Sequence, residues 1–441
     1  MTYFGSLRAA AVSALFASTC TASAIDRSDT APAGSAGHFW PYAGTLQTPP
    51  TNPSLYFGAA VDMSGDYLAV GSQSPTDATP LAGRVHVYRH SAAGWQLDAA
   101  LVSPDAAQQG SLFGNSVALA QTPEGIVLVV GEPGRDRMVE GNPVPQAGTV
   151  WVFTRIDGAW VETRLGAASS PHALLGFSVD TDGSHVIAGK PGYDGNHGEI
   201  VVWQRDGEVW NVDHSTTAFE VGASFGYSVA IAGNLALIGA PGASYLGDSN
   251  AGLVLVMPLL FDDEPFSAVL HDPTPDATEL FGITVAATAD RFAVGSIEDD
   301  APGGDPDSGS VHVFRIDGDD VVLDATLRSP APQQDANFGS ALAFADDYLV
   351  VGERFRDVFL FGTTFDHAGA AHLFRRLSGD AGWSQETSFY NFGEGEQMGW
   401  SVAMDAQRIA IGVPTRTDDA DLPVGAVDLF ESDSIFADGF D

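Results

Sequence analysis

The sequence predicts an all-β chain: a seven-bladed β-propeller of four-stranded antiparallel blades, the last blade closed by the N-terminal strand. Three observations carry this prediction. A two-part phrase returns seven times, strand-like alternation surrounds each copy, and the final copy lacks one strand.

The first part of the phrase is an aromatic or apolar residue plus Gly, then an apolar alternation and a hydrophobic run ending in Gly. It spans Phe57 to Gly71, Phe113 to Gly131, Leu175 to Gly189, Phe225 to Gly239, Phe281 to Gly295, Phe338 to Gly352 and Met398 to Gly412. The leading glycines are 56, 62, 50, 56, 57 and 60 residues apart. A unit of that length cannot bury its own apolar faces, so the copies must pack on one another. The second part is a small residue plus Gly, then apolar residues at every other position, as in Ala147-Gly148-Thr149-Val150-Trp151-Val152-Phe153. It recurs at Ala82-Gly83, His197-Gly198, Ala251-Gly252, Ser308-Gly309, Ala368-Gly369 and Val424-Gly425.

Period-two alternation rich in Val, Phe and Tyr and bounded by Gly is a strand signature. A further run follows most copies, as in Gly94 to Leu101, and Asp157-Gly158, Asp206-Gly207 and Asp317-Gly318 supply hairpin chemistry. Each repeat thus yields four short strands. A linear β-solenoid has much shorter repeats and needs capping ones, so radial repetition is the better reading. A closed ring must also complete its last blade. The seventh copy ends at Phe430 without a fourth strand, while Trp40 to Pro49 matches Trp95 to Pro104 at the same Trp-to-Leu spacing. An N-terminal strand that finishes this blade leaves no open sheet edge.

The residues resemble the FG-GAP repeat family, the unit of the integrin α-subunit propeller, and more closely its shorter bacterial variant. The best copy is Phe225-Gly226-Tyr227-Ser228-Val229-Ala230, followed by Ile238-Gly239-Ala240-Pro241-Gly242. Gly-x-Pro is kept at Pro133, Pro191, Pro241 and Pro414 and is missing from blades 1, 5 and 6. The resemblance implies the propeller fold but leaves function open, because sites are grafted onto folds. Integrin-type repeats carry Asp-x-Asp-x-Asp-Gly calcium loops between their first two strands. Here those hairpins are short, as at Asp182-Gly183 and Gly233-Asn234, and the family's calcium sites are not carried over.

The net charge is −38, with 57 acidic residues against 19 basic, of which Lys190 is the one lysine. Such a field repels nucleic acid and anionic lipid and suits a soluble extracellular protein or a basic partner. Arg8, an apolar stretch from Ala9 to Ala17 and Ala22-Ser23-Ala24 read as a signal peptide over residues 1–24, too short to span a bilayer. Cleavage after Ala24 leaves a secreted or cell-surface chain with no thiol; lipoprotein anchoring at Cys20, the single cysteine, is the alternative. Residues 25–37 read as a disordered lead-in, 38–431 as the propeller and 432–441 as a C-terminal tail of unassigned role.

In an up-and-down blade the loops joining strands two to three and four to one share a face. The two-to-three loops run from eight residues (Lys190 to His197) to sixteen (Glu353 to Ala368), and variable loops on a rigid frame are where binding lives. Blade 6 offers Arg354, Phe355, Arg356, Phe359, Phe361 and Phe365 as a binding surface, or as an extra hairpin folded back on its neighbour. Blade 5 offers Asp299, Asp300, Asp305 and Asp307 as oxygen ligands for Ca²⁺, or as a solvated acidic loop; no cofactor is otherwise expected. Asp418, Asp419 and Asp421 in blade 7 read the same way. His86, His312 and His372 share one slot of the third strand in separate blades, so they cannot converge on one metal and read as packing residues. No Gly-x-Ser-x-Gly, His-Glu-x-x-His, phosphate loop or dinucleotide fingerprint is present. The expectation is a monomeric, non-catalytic binding or adhesion scaffold for a protein or glycan, without nucleic-acid contacts or a transmembrane segment. A metal-assisted hydrolase or lyase and a ligand-free structural surface protein are the alternatives.

Overall fold

The computed structural model describes residues 40–49, 54–75, 79–218, 220–260, 268–300, 306–318, 320–377, 382–418 and 422–432. The signal peptide, its Cys20, the lead-in, the tail beyond Ser432, and Asp305, Asp419 and Asp421 lie outside these residues. Seven four-stranded antiparallel sheets form the blades of one ring. Blade 2 is typical, with Ser116–Thr122, Gly125–Glu132, Thr149–Ile156 and Ala159–Ala167 paired in that order outward from the axis. The seventh blade joins Val402–Met404, Arg408–Val413 and Ala426–Glu431 to Tyr42–Leu46, the predicted closing strand. Among the described residues the single helical element is one turn, Tyr193–Asn196.

Both halves of the repeated phrase meet across blade boundaries, which explains why they recur. The amide of each leading aromatic or apolar residue donates to the carbonyl of the residue before the second-part glycine of the preceding blade. Phe113 donates to Ala82 at 2.9 Å, Phe281 to Ala251 at 3.1 Å and Met398 to Ala368 at 3.0 Å. Phe57 donates to Val424 at 3.2 Å and so continues the pattern from the last blade to the first. The glycine that ends each hydrophobic run lies against the carbonyl of the next blade's leading glycine. A Cβ at Gly131 would collide with Gly176 O, and one at Gly412 with Gly58 O. Only glycine permits that approach.

A hydroxyl on the first strand adds a second inter-blade bond. Ser116, Ser178 and Ser228 each donate at 2.8 Å to the leading glycine carbonyl of the following blade, and Thr284 does so at 2.7 Å. Apolar packing follows the same geometry, with the core divided into clusters that straddle adjacent blades. Phe57, Val61 and Leu68 of blade 1 pack against Ala410, Val427 and Leu429 of blade 7. Trp40, 2% exposed, anchors the closing strand against Tyr348 and Phe389 of blade 6 and Ile409 of blade 7. On the rim, the Trp160 and Trp383 indoles donate to Asp98 and Asp324 of the preceding blades at 2.8 and 2.9 Å.

Candidate functional site

The two-to-three and four-to-one loops lie on one face and hydrogen-bond to each other, as where Leu112 N donates to Leu81 O (3.0 Å) and Leu174 N to Gln146 O (3.1 Å). Several two-to-three loops end in exposed apolar tips: Leu81 (40%), Met138 (65%), Leu246 (80%), Phe359 (71%), Phe361 (97%) and Leu422 (50%). In blade 2 the loop forms a small hairpin, Arg137–Val139 with Asn142–Val144; in blade 6 it forms another, Val358–Leu360 with Thr363–Phe365. The buried Val358 anchors the second hairpin, and Phe359 and Phe361 point to solvent at its end.

The six predicted residues of blade 6 fall into four places. Phe359 and Phe361 form the projecting tip. Phe365 stands edge-on to Phe392, which lines a cavity of ≈ 480 Å³ with Thr45, Gln47, Asn391, Glu396 and Arg416. Arg354 occupies the position of the missing Gly-x-Pro proline. Its guanidinium lies 4.9 Å from both the Phe355 and Trp400 rings, and burial holds its pKa below the usual arginine value. Trp400, Phe177 and Tyr227 line the axial channel, a cavity of ≈ 260 Å³ formed by the first strands. Arg356 is buried in the blade, where Nη1 donates to Glu353 Oε2 (3.0 Å), Ser329 Oγ (3.1 Å) and Ala331 O (2.9 Å).

The contacts of Arg356 belong to a polar junction that recurs beneath the loop face. Each junction draws on the chain entering the blade, the end of the second strand, the residue three positions beyond it, and the shared slot of the third strand. In blade 2 these are Ser103, Glu132, Arg135 and Trp151: the indole donates to Glu132 at 2.8 Å, and Arg135 pairs with Glu132 at 3.2 Å. In blade 6 they are Ser329, Glu353, Arg356 and His372, with Glu353 fully buried and 2.7 Å from His372 Nε2. In blade 7 Arg416 pairs with Asp428 at 2.8 Å and Glu396 at 3.0 Å, and donates to Asn391. In blade 3 Lys190 pairs with Glu199. His312 and His372 are therefore polar junction members rather than simple packing residues.

Blade 5 breaks the charge pattern. Asp299 stands where blades 2, 6 and 7 place arginine, Asp272 stands at the Ser103 position, and Glu279 enters at the position of Glu396. Asp272, Asp299 and His312 are 2%, 5% and 2% exposed, and Asp272 Oδ2 lies 2.7 Å and Asp299 Oδ2 4.0 Å from His312 Nε2. Arg328 Nη2 lies 2.9 Å from Asp299 Oδ2. Burial pushes Glu279 up to about 7, and repulsion from Asp272 and Asp299 adds to it. Burial would also raise Asp272, but its contact with His312 outweighs this and holds the carboxyl below its ordinary value. Of the predicted acidic set within the described residues, Asp299 is buried in this junction, Asp300 is exposed, and Asp307 is partly buried with its amide donating to Asp300 Oδ1 (3.0 Å). Sequence reading missed Asp272 and Glu279. Aligning the blades position by position would have found them, because Asp272 falls with Ser103, Ser329 and Asn391.

The ring, its inter-blade glycine contacts and its loop face define a seven-bladed β-propeller built of short repeats. Residues 219–257 and 268–314 match the FG-GAP repeat family, covering most of blades 4 and 5. The other blades reproduce the same inter-blade bonds, so the whole seven-bladed ring is consistent with FG-GAP repeats. A search of curated proteins finds no match to it.

Proposed function

We propose that the chain is a secreted or cell-surface binding scaffold that recognises a protein or glycan through its loop face, without turnover. The observation that carries this reading is the set of exposed apolar loop tips on one face, above all Phe359 and Phe361 on their own hairpin. Aromatic side chains held out by a rigid frame supply contact area at low entropic cost, as binding hot spots do. The cavity beside Phe365 offers Arg416, Glu396, Asn391 and Gln47 next to the Phe392 ring, groups suited to hydroxyl-rich ligands. Among the described residues no helix is long and apolar enough to cross a membrane.

The test compares the chain with its Phe359→Ala/Phe361→Ala variant on arrays of immobilised extracellular proteins and glycans. Selective retention of the parent chain, lost in a variant of unchanged Tm, supports the reading. Equal behaviour of the two chains on every probe refutes it.

A further inference from the structure

We propose that the blade 5 junction binds one divalent transition-metal ion, Zn²⁺ by its donor chemistry, through Asp272 Oδ2, Asp299 Oδ2 and His312 Nε2. One donor atom from each of these residues lies within 4.8 Å of the other two in a buried site. The first argument compares blades of the same chain. Blades 2, 6 and 7 fill this junction with an arginine paired to a carboxylate, and a buried carboxylate needs such a cation. Blade 5 replaces that arginine with Asp299 and adds Asp272; Arg328 reaches Asp299 alone, so the position that supplies positive charge elsewhere supplies a ligand here.

The second argument is geometric and independent of the charge count. Asp272 Oδ2 and Glu279 Oε2 are buried without a hydrogen-bond donor, and Asp299 Oδ2 meets only the Arg328 guanidinium at 2.9 Å. Asp272 Oδ2 lies 2.7 Å and Asp299 Oδ2 4.0 Å from His312 Nε2, so both carboxylates and the imidazole converge on one point. Ligands of a tetrahedral zinc at about 2.0–2.1 Å are roughly 3.3 Å apart, between the 2.7 and 4.0 Å separations from Nε2 found here. A histidine that ligates through Nε2 carries its proton on Nδ1, where the Thr326 hydroxyl lies at 3.2 Å to accept it. Ser310 Oγ, 2.9 Å from Nε2, and Arg328 against Asp299 complete the surrounding shell.

Calcium fits poorly, because it takes six to eight oxygens at about 2.3–2.6 Å, whereas imidazole favours zinc-like ions. Asp272 belongs to the chain leaving blade 4, Asp299 to the two-to-three loop of blade 5, and His312 to its third strand. One ion would tie all three together. The site lies apart from the strand-one hairpins that hold calcium in integrin-type repeats.

The test strips the purified chain with a chelator and titrates it with Zn²⁺ or Co²⁺, reading stoichiometry by calorimetry and geometry by the visible Co²⁺ spectrum. The expected result is one ion per chain with a tetrahedral Co²⁺ signature. Asp299→Arg, which installs the sibling blades' guanidinium, is expected to weaken uptake about 100-fold or more while keeping the fold in chelator. No uptake, Ca²⁺ bound in preference to Zn²⁺, or uptake unchanged in Asp299→Arg overturns the proposal. X-ray absorption on the zinc-loaded parent chain needs no variant: one imidazole among the ligands supports the site, and none overturns it.

Discussion

The Ser401 hydroxyl donates to the carbonyl of Gly58 at 2.8 Å, joining residues 343 positions apart in the chain. The same bond links blades 2 to 3, 3 to 4, 4 to 5 and 5 to 6, but this one joins the last blade to the first. Together with the Tyr42–Leu46 strand on Ala426–Glu431 it makes the ring continuous. Ser401→Ala is expected to cost about 1 kcal/mol. Gly412→Ala should cost more, because its Cβ would collide with the same Gly58 carbonyl and the two blades must separate. Trp40→Ala should cost about 3–5 kcal/mol by emptying the anchor of the closing strand. Urea denaturation of the three variants checks the order; equal losses would show that closure does not depend on these contacts.

Phe359→Ala and Phe361→Ala are expected to leave Tm within about 1 °C of the parent, since both rings are exposed and outside the core clusters. Differential scanning calorimetry decides this, and a drop of several degrees would make the rings structural.

Arg356→Ala is expected to be far more damaging, although it lies between Arg354 and Asp357 in the same loop. It leaves the fully buried Glu353 without its guanidinium partner, a loss of about 3–5 kcal/mol. Replacing both residues, Arg356→Met with Glu353→Leu, should recover much of it. A double variant no more stable than Arg356→Ala would argue against a charge-driven loss.

Asp62 and Asp180 give the ring a defined pH response. Each accepts a hydrogen bond from the neighbouring blade's first strand, Asp62 from Leu119 N and Asp180 from Ile231 N, both at 2.6 Å. Burial pushes Asp62 from an ordinary 3.8 to about 7, with repulsion from Asp180 adding to it, and burial pushes Asp180 up to about 6. The folded pKa exceeds the unfolded one, so the native state holds protons that the unfolded chain releases. Stability from these sites therefore falls as pH rises from about 4 to about 7 and is level above that. Asp62→Asn keeps the hydrogen-bond acceptor and removes the penalty. It should gain about 1 kcal/mol at pH 8, after allowance for partial exposure, and almost nothing at pH 4. Thermal unfolding at both pH values checks the sign, and an equal effect at each would refute it.

Blade number, strand order and ring closure were legible along the chain because each is a one-dimensional property: a period, an alternation, a Trp-to-Leu spacing matched at the two ends. Hydrophobic burial in a repeat protein is a nearest-neighbour matter, so one good copy describes every interface. The partition of the blade 6 loop was not legible in the same way. Arg354 and Arg356 are two residues apart, yet one stacks on Trp400 beside the channel and the other neutralises Glu353 inside the blade. Likewise Asp299 and Asp300 are adjacent, and only the first is buried. The junction of Asp272, Asp299 and His312 draws from three elements of two blades. Periodicity reports which face a residue occupies; it does not report which residues from neighbouring repeats share that space. That is decided by the angle at which blades pack around the axis, and by the desolvation that forces each buried charge to find a partner across the boundary.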